Sequence, residues 1–148
     1  MFPDSIQLLS ENGRKRHANL LIIIAGADGE LVREEIAAIE SAMGLMMIHP
    51  NVRTELRSQF ADPIDLDLLL KEMDAAELRL ALKNGAIVAA VDGEYDNNEI
   101  LLLKKIAATA GVSEARLKQL LNWVRNMWKL EAKGRQIVGS PMQGDDYQ

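Results

Sequence analysis

An apolar run that ends in Asp-Gly-Glu occurs twice in this chain, and the recurrence constrains its fold more than any other feature. The first copy reads Ala25-Gly26-Ala27-Asp28-Gly29-Glu30-Leu31-Val32-Arg33-Glu34-Glu35. The second reads Ala89-Ala90-Val91-Asp92-Gly93-Glu94-Tyr95-Asp96-Asn97-Asn98-Glu99. In each, a Glu stands seven residues after the Asp and an Ile follows it (Ile36, Ile100). Glycine takes left-handed backbone at little cost and so stops a helix. Acids suit the first turn of the helix that follows. Each copy therefore reads as a helix–turn–helix unit that turns at an acidic corner. The expected fold is all-α: a compact bundle of about six to eight helices built from two related helix–turn–helix halves, residues 15–44 and 75–111.

Composition agrees. Hydrophobic residues make up 48% of the 148 residues and aromatic ones only 4%, so the core is Leu, Ile, Ala, Val and Met, which suits helices better than a β-sandwich. No stretch shows clean strand alternation. The absence of cysteine excludes disulfides and thiolate metal sites and fits a reducing compartment. The net charge of −5 argues against non-specific nucleic-acid binding. The runs LLIIIAGA and GAIVAAV are far short of the ~20 residues of a membrane span. MFPDSIQ carries no basic stretch of the kind that opens a signal peptide. A cytoplasmic protein without a transmembrane segment is expected.

In chain order, a short helix over 3–12 ends at Gly13. Arg14-Lys15-Arg16-His17 leads into the apolar helix that ends near Gly29, and a second helix runs from about Val32 to Met43. Val52, Leu56 and Phe60 mark a short amphipathic helix. Asp62-Pro63 reads as the start of the next, through Leu66 to about Glu72. Asp74 with Glu77, and Asp96 with Glu99, are capping-box pairs that open helices from Ala75 to Val91 and from Asn97 to Ala110. Ser113 caps a last helix from Glu114 to about Ala132. The helical domain is thus placed at 1–133, with a disordered tail at 134–148.

The corner acids have two readings. As caps, Asp96 accepts from the Glu99 amide and Glu99 reaches back to the amide of Asp96, with no ligand required. As a cation site, the carboxylates gathered by a tight turn offer the oxygen ligands that Ca²⁺ or Mg²⁺ takes. The candidate ligands are Asp92, Glu94, Asp96 and Glu99 at the second corner and Asp28 and Glu35 at the first. Setting Asp92 at position 5 of an EF-hand loop puts Gly93 at 6, Asp96 at 9 and Glu99 at 12. Positions 1 and 3 are then Val88 and Ala90, which cannot ligate, so a true EF-hand is excluded. At the first corner Val32 stands where the second has Asp96, and Arg33 adds a cation. The second corner is the favoured one.

Catalysis finds little support. His17 and His49 stand far apart and read as exposed helix-end residues, and no Glu-x-x-His, Gly-rich phosphate loop, Gly-x-Ser-x-Gly or His-Glu-x-x-His occurs. No enzyme is expected. Arg14-Lys15-Arg16 offers peripheral contact with anionic lipid or phosphate, and reads more simply as a solvated helix end. The last helix carries two apolar stripes: Leu117, Leu120, Val124 and Trp128 toward the core, and Trp123, Met127 and Leu130 beside them. Trp123, Met127 and Trp128 are the candidate contacts for a protein partner or a homodimer.

The segments ANLLIIIAGADGELVREEIAAIESAMG and GAIVAAVDGEYDNNEILLLKKIAATAGVS resemble the two halves of TerB-like domains, the tellurite-resistance TerB family, over residues 15–125. The resemblance implies a compact helical fold of two related halves, association with resistance to tellurite and other stresses, a place in the bacterial cytoplasm or on the inner face of the membrane, metal sensing, and no catalytic activity. It matches the family's acidic positions to Asp28 and Glu35, and to Asp92, Asp96 and Glu99, and it departs from the family at Val32. The function expected is a non-enzymatic TerB-like module that mediates protein interaction in a stress response and is modulated by a divalent cation. The alternative is a dedicated divalent metal-ion sensor.

Overall fold

The computed structural model describes residues 3–91 and 93–145. Eight helices run through them: α1 (Pro3–Leu8), α2 (Glu11–Ala25), α3 (Arg33–Leu45), α4 (Pro50–Ser58), α5 (Leu66–Glu72), α6 (Ala75–Ala89), α7 (Asn97–Thr109) and α8 (Glu114–Ile137). No strand occurs among the described residues.

The two helices that precede the corners, α2 and α6, form the centre and pack on each other. Both are apolar around most of their circumference toward the C-terminal end. Leu20, Leu21, Ile22 and Ile24 of α2 are fully buried, as are Ala86 and Val88 of α6. A helix apolar on all sides belongs in the middle of a bundle, and each large aliphatic side chain buried there contributes about 2 kcal/mol. Gly85 sets the closeness of the crossing: a Cβ built on it would stand 2.3 Å from Ile24 Cδ1. The post-corner helices α3 and α7 lie outside this pair, and α8 closes the bundle against α6 and α7. The duplication in the sequence is therefore a duplication of central helix, corner and outer helix.

Most helix starts carry a side-chain cap. Ser10, Asp74 and Ser113 accept from the amides of Gly13, Glu77 and Arg116. Asp65, rather than Asp62, caps α5 through the Leu68 amide at 3.0 Å, so that helix begins after Pro63 instead of at it. Gly13 does not end α1; it lies in the first turn of α2, where Ser10 Oγ and Glu77 Oε1 approach to within 3.2 Å of the place a Cβ would occupy. The capping group and a partner on α6 thus meet on a residue that has no side chain.

His17 departs from the expectation of exposure. It is fully buried at the α1–α2–α6 junction, because α2 begins before the basic run and places residue 17 on the same face as Leu20, Leu21 and Ile24. Asn84 Nδ2 lies 3.1 Å from His17 Nε2 and donates to Ser5 Oγ at 3.2 Å, while Asp4 pairs with Lys83. His49, by contrast, is exposed, and its Nδ1 accepts from the Asn51 amide to cap α4. Two members of the basic run pair with acids: Lys15 with Glu55, and Arg16 with both oxygens of the buried Glu77 on α6.

The last helix continues to Ile137, where the sequence suggested a disordered tail from Gly134. Residues 138–145 then turn back. Arg135 grips both carboxylate oxygens of Asp145 at 2.7 and 2.5 Å, and Asp145 also accepts from the Met142 amide. This guanidinium and amide pull the Asp145 carboxyl down to about 2. Residues 146–148 of the expected tail lie outside the described residues.

Candidate functional site

At the first corner, α2 ends at Ala25 and Gly29 adopts a φ of 98°. The Glu30 amide donates to Asp28 Oδ1 at 3.1 Å. Glu35 turns inward, and its Oε2 accepts from the Val32 amide at 2.9 Å. Val32 has no side-chain acceptor to return the contact, so this is half of a capping box.

The second corner carries both halves of its capping box. Gly93 adopts a φ of 103°. The Asp96 amide donates to Glu99 Oε2 at 2.8 Å, and Asp96 Oδ1 accepts from the Asn98 amide at 2.7 Å. Glu99 is only 3% exposed. Tyr95 anchors the turn by donating its hydroxyl to the Ala86 carbonyl at 2.9 Å. Burial, reinforced by the charge of Glu99, raises the Tyr95 pKa and keeps that hydroxyl a donor.

The two corners meet. Asp28 of the first joins Glu94, Tyr95, Asp96, Asn97 and Glu99 of the second around one open cleft of about 390 Å³. Nothing in the spacing of the chain announces this contact, because it depends on how α2 and α6 cross. Glu35 remains at its own corner and does not line the cleft. Asp92, a favoured candidate ligand, lies outside the described residues. The chemistry of the donors, carboxylates with one amide side chain, is that of a hard cation. Two of the oxygens already accept backbone N–H groups, and among the described residues no three carboxylates or histidines are close enough together to hold an ion.

The interaction candidates separate. Trp123 is 46% exposed, and Leu130 and Ile137 are each 73% exposed. With half-buried Met127 they recur at alternating steps of four, three and seven along α8, a single seam of the kind that receives another helix. Trp128 faces differently: it is half-buried against the core and lines a groove with Ala38, Ala90 and Met142.

Comparison with protein families places this architecture. The model of the family described as tellurite resistance protein TerB matches residues 18–122. The chain belongs to the TerB family. No curated protein and no solved structure matches. The match takes in both corners, so the acidic cleft lies wholly inside the TerB segment. It stops just before Trp123, so the exposed seam of α8 lies beyond it. No helix among the described residues is long and apolar enough to cross a membrane.

Proposed function

We propose that the chain is a non-enzymatic TerB module that engages a protein partner, or a second copy of itself, through the exposed seam of α8. The observation that carries this reading is the row of Trp123, Met127, Leu130 and Ile137 on the outside of a 24-residue helix. Burying such a row is favourable by about 25 cal/mol per Å² of apolar surface, and an aromatic anchor at one end is typical of residues that dominate binding. The family's description names tellurite resistance, and work in a cytoplasmic stress response, to tellurite or metals, is part of the same proposal. Replacing Trp123 and Leu130 together by Ser leaves the core untouched. The double variant is expected to keep the wild-type circular dichroism spectrum and to lose association. An unchanged complex in that variant speaks against the seam.

A second reading starts from the cleft: a divalent cation, Ca²⁺ or Mg²⁺, drawn to the carboxylates of Asp28, Glu94, Asp96 and Glu99, whose side chains must close on it to bind, as modulator or as the main ligand. Titration of either ion, followed by amide shifts in NMR, is expected to perturb residues of both corners together by millimolar concentration. Asp96→Asn should abolish those shifts while costing no more than ~1 kcal/mol as a weakened cap. Silence at both corners through millimolar metal ends this reading.

A further inference from the structure

A second cleft, of about 760 Å³, opens between the start of α2 and the connection from α3 to α4. Its charged lining sets Arg14, Lys15 and Arg53 against Glu11. The two arginines are built alike. Arg14 Nη1 donates to the Leu9 carbonyl at 3.0 Å, and Arg53 Nε donates to the Ile48 carbonyl at 2.8 Å. One neutral contact therefore fixes each guanidinium, and neither has a carboxylate at ion-pair distance among the described residues. Arg16, Arg57 and Arg135 each grip one. Arg14 Nε is buried and meets no acceptor. His49 also lines the cleft. Its Nδ1 accepts from the Asn51 amide at 3.2 Å, which leaves the ring proton on Nε2 as a further donor. Met47 forms part of the wall with its backbone at a φ of 53°. That conformation belongs to the cap that ends α3, in which the Met47 amide donates to the Gly44 carbonyl and the Ile48 amide to the Met43 carbonyl.

We propose that this cleft binds a small phosphate-bearing anion of nucleotide size. Both guanidinium groups line one cleft with donors left over from their single carbonyl contact, and guanidinium geometry matches the fork of phosphate oxygens. Met47, Ile48 and Val52 supply an apolar wall for an organic body, and the volume falls within the range of small-molecule sites. The net charge of −5 repels an extended polyanion and leaves a compact one the better fit.

The test is an NMR titration of the full chain that follows backbone amides and arginine Nε–H groups. The probes are inorganic pyrophosphate, ADP, and vesicles of phosphatidylserine with phosphatidylcholine. Saturable shifts at Arg14, Lys15, Met47 and Arg53 with pyrophosphate or ADP are the expected result. Arg53→Gln should weaken binding about tenfold, and Lys15→Gln by less, because Lys15 already pairs with Glu55. Arg53→Gln keeps the Leu9–Arg14 contact, and unchanged amide shifts outside the cleft would show that it folds. Three results overturn the proposal: no saturable shift into the millimolar range, shifts spread evenly over surface lysines, or binding to the vesicles without binding to either soluble anion.

Discussion

Acidification from pH 7 to pH 4 is expected to remove roughly 3 kcal/mol of folding stability through one residue, His17. Burial at the α1–α2–α6 junction holds its pKa at about 4, against 6.5 for a free imidazole. The charge of Asp4 works against that shift and the charge of Lys83 with it, and burial outweighs both. Above pH 6.5 neither the folded nor the unfolded chain binds the proton, and the fold has its full stability. Below it the unfolded chain takes the proton and the native one does not, so stability falls until the native pKa is reached. Lost carboxylate pairs act in a lower window: Arg57 depresses Glu40, Lys105 depresses Asp67, and Arg135 depresses Asp145. Urea unfolding between pH 7 and 4 measures the His17 contribution. The His17→Gln variant should lose the slope in this window, because a neutral amide can still face Asn84. A wild-type stability that is level from pH 6.5 to 4 would show that the imidazole is not held neutral.

Gly85→Ala is the second substitution with a large expected effect, and its sign is opposite to that of an exposed helix glycine. On a free surface the change gains about 1 kcal/mol from helix propensity. Here the added methyl meets Ile24 Cδ1 at 2.3 Å, and Ile24 is fully buried. Overpacking of this kind costs about 1–3 kcal/mol, leaving a net loss of up to ~2 kcal/mol. Ile24→Val deletes the clashing Cδ1 and alone costs about 0.5–1.5 kcal/mol. The double variant should therefore be more stable than the sum of the two singles, by on the order of 1 kcal/mol. Additive losses in thermal unfolding would mean that α2 and α6 do not cross at this pair.

The recurrence of Asp-Gly-Glu made the two halves legible, because local chemistry decides a corner: glycine at positive φ, then an acid in the first turn. Asp74, Asp96 and Ser113 stand as caps where the spacing put them. What escaped is set across the bundle. His17 sits in a basic run, and its neighbours in sequence suggested solvent. The spacing to Leu20, Leu21 and Ile24 carried the better signal, visible once the helix is known to start before Gly13. The turn over residues 138–145 depends on Arg135 meeting Asp145 ten residues away, a pairing that tail composition does not reveal. The acidic positions of the corners were readable as a set, but the approach of Asp28 to Asp96 and Glu99 comes from the α2–α6 crossing. Arg14 and Lys15 were readable as a candidate for phosphate contact, but Arg53 joins them from a separate helix, and both arginines are anchored by backbone carbonyls that leave no mark on the sequence.

The seam of α8 is the central functional claim, and site-directed photo-cross-linking tests it most directly. A benzophenone side chain would be placed at Leu130, on the seam, and separately at Lys129, exposed on the same helix but turned about 100° away. Expressed in the native host, the Leu130 probe is predicted to give a discrete adduct with one protein or with a second copy of this chain, and the Lys129 probe to give none. Equal adducts from both positions, or none from Leu130, would contradict the account.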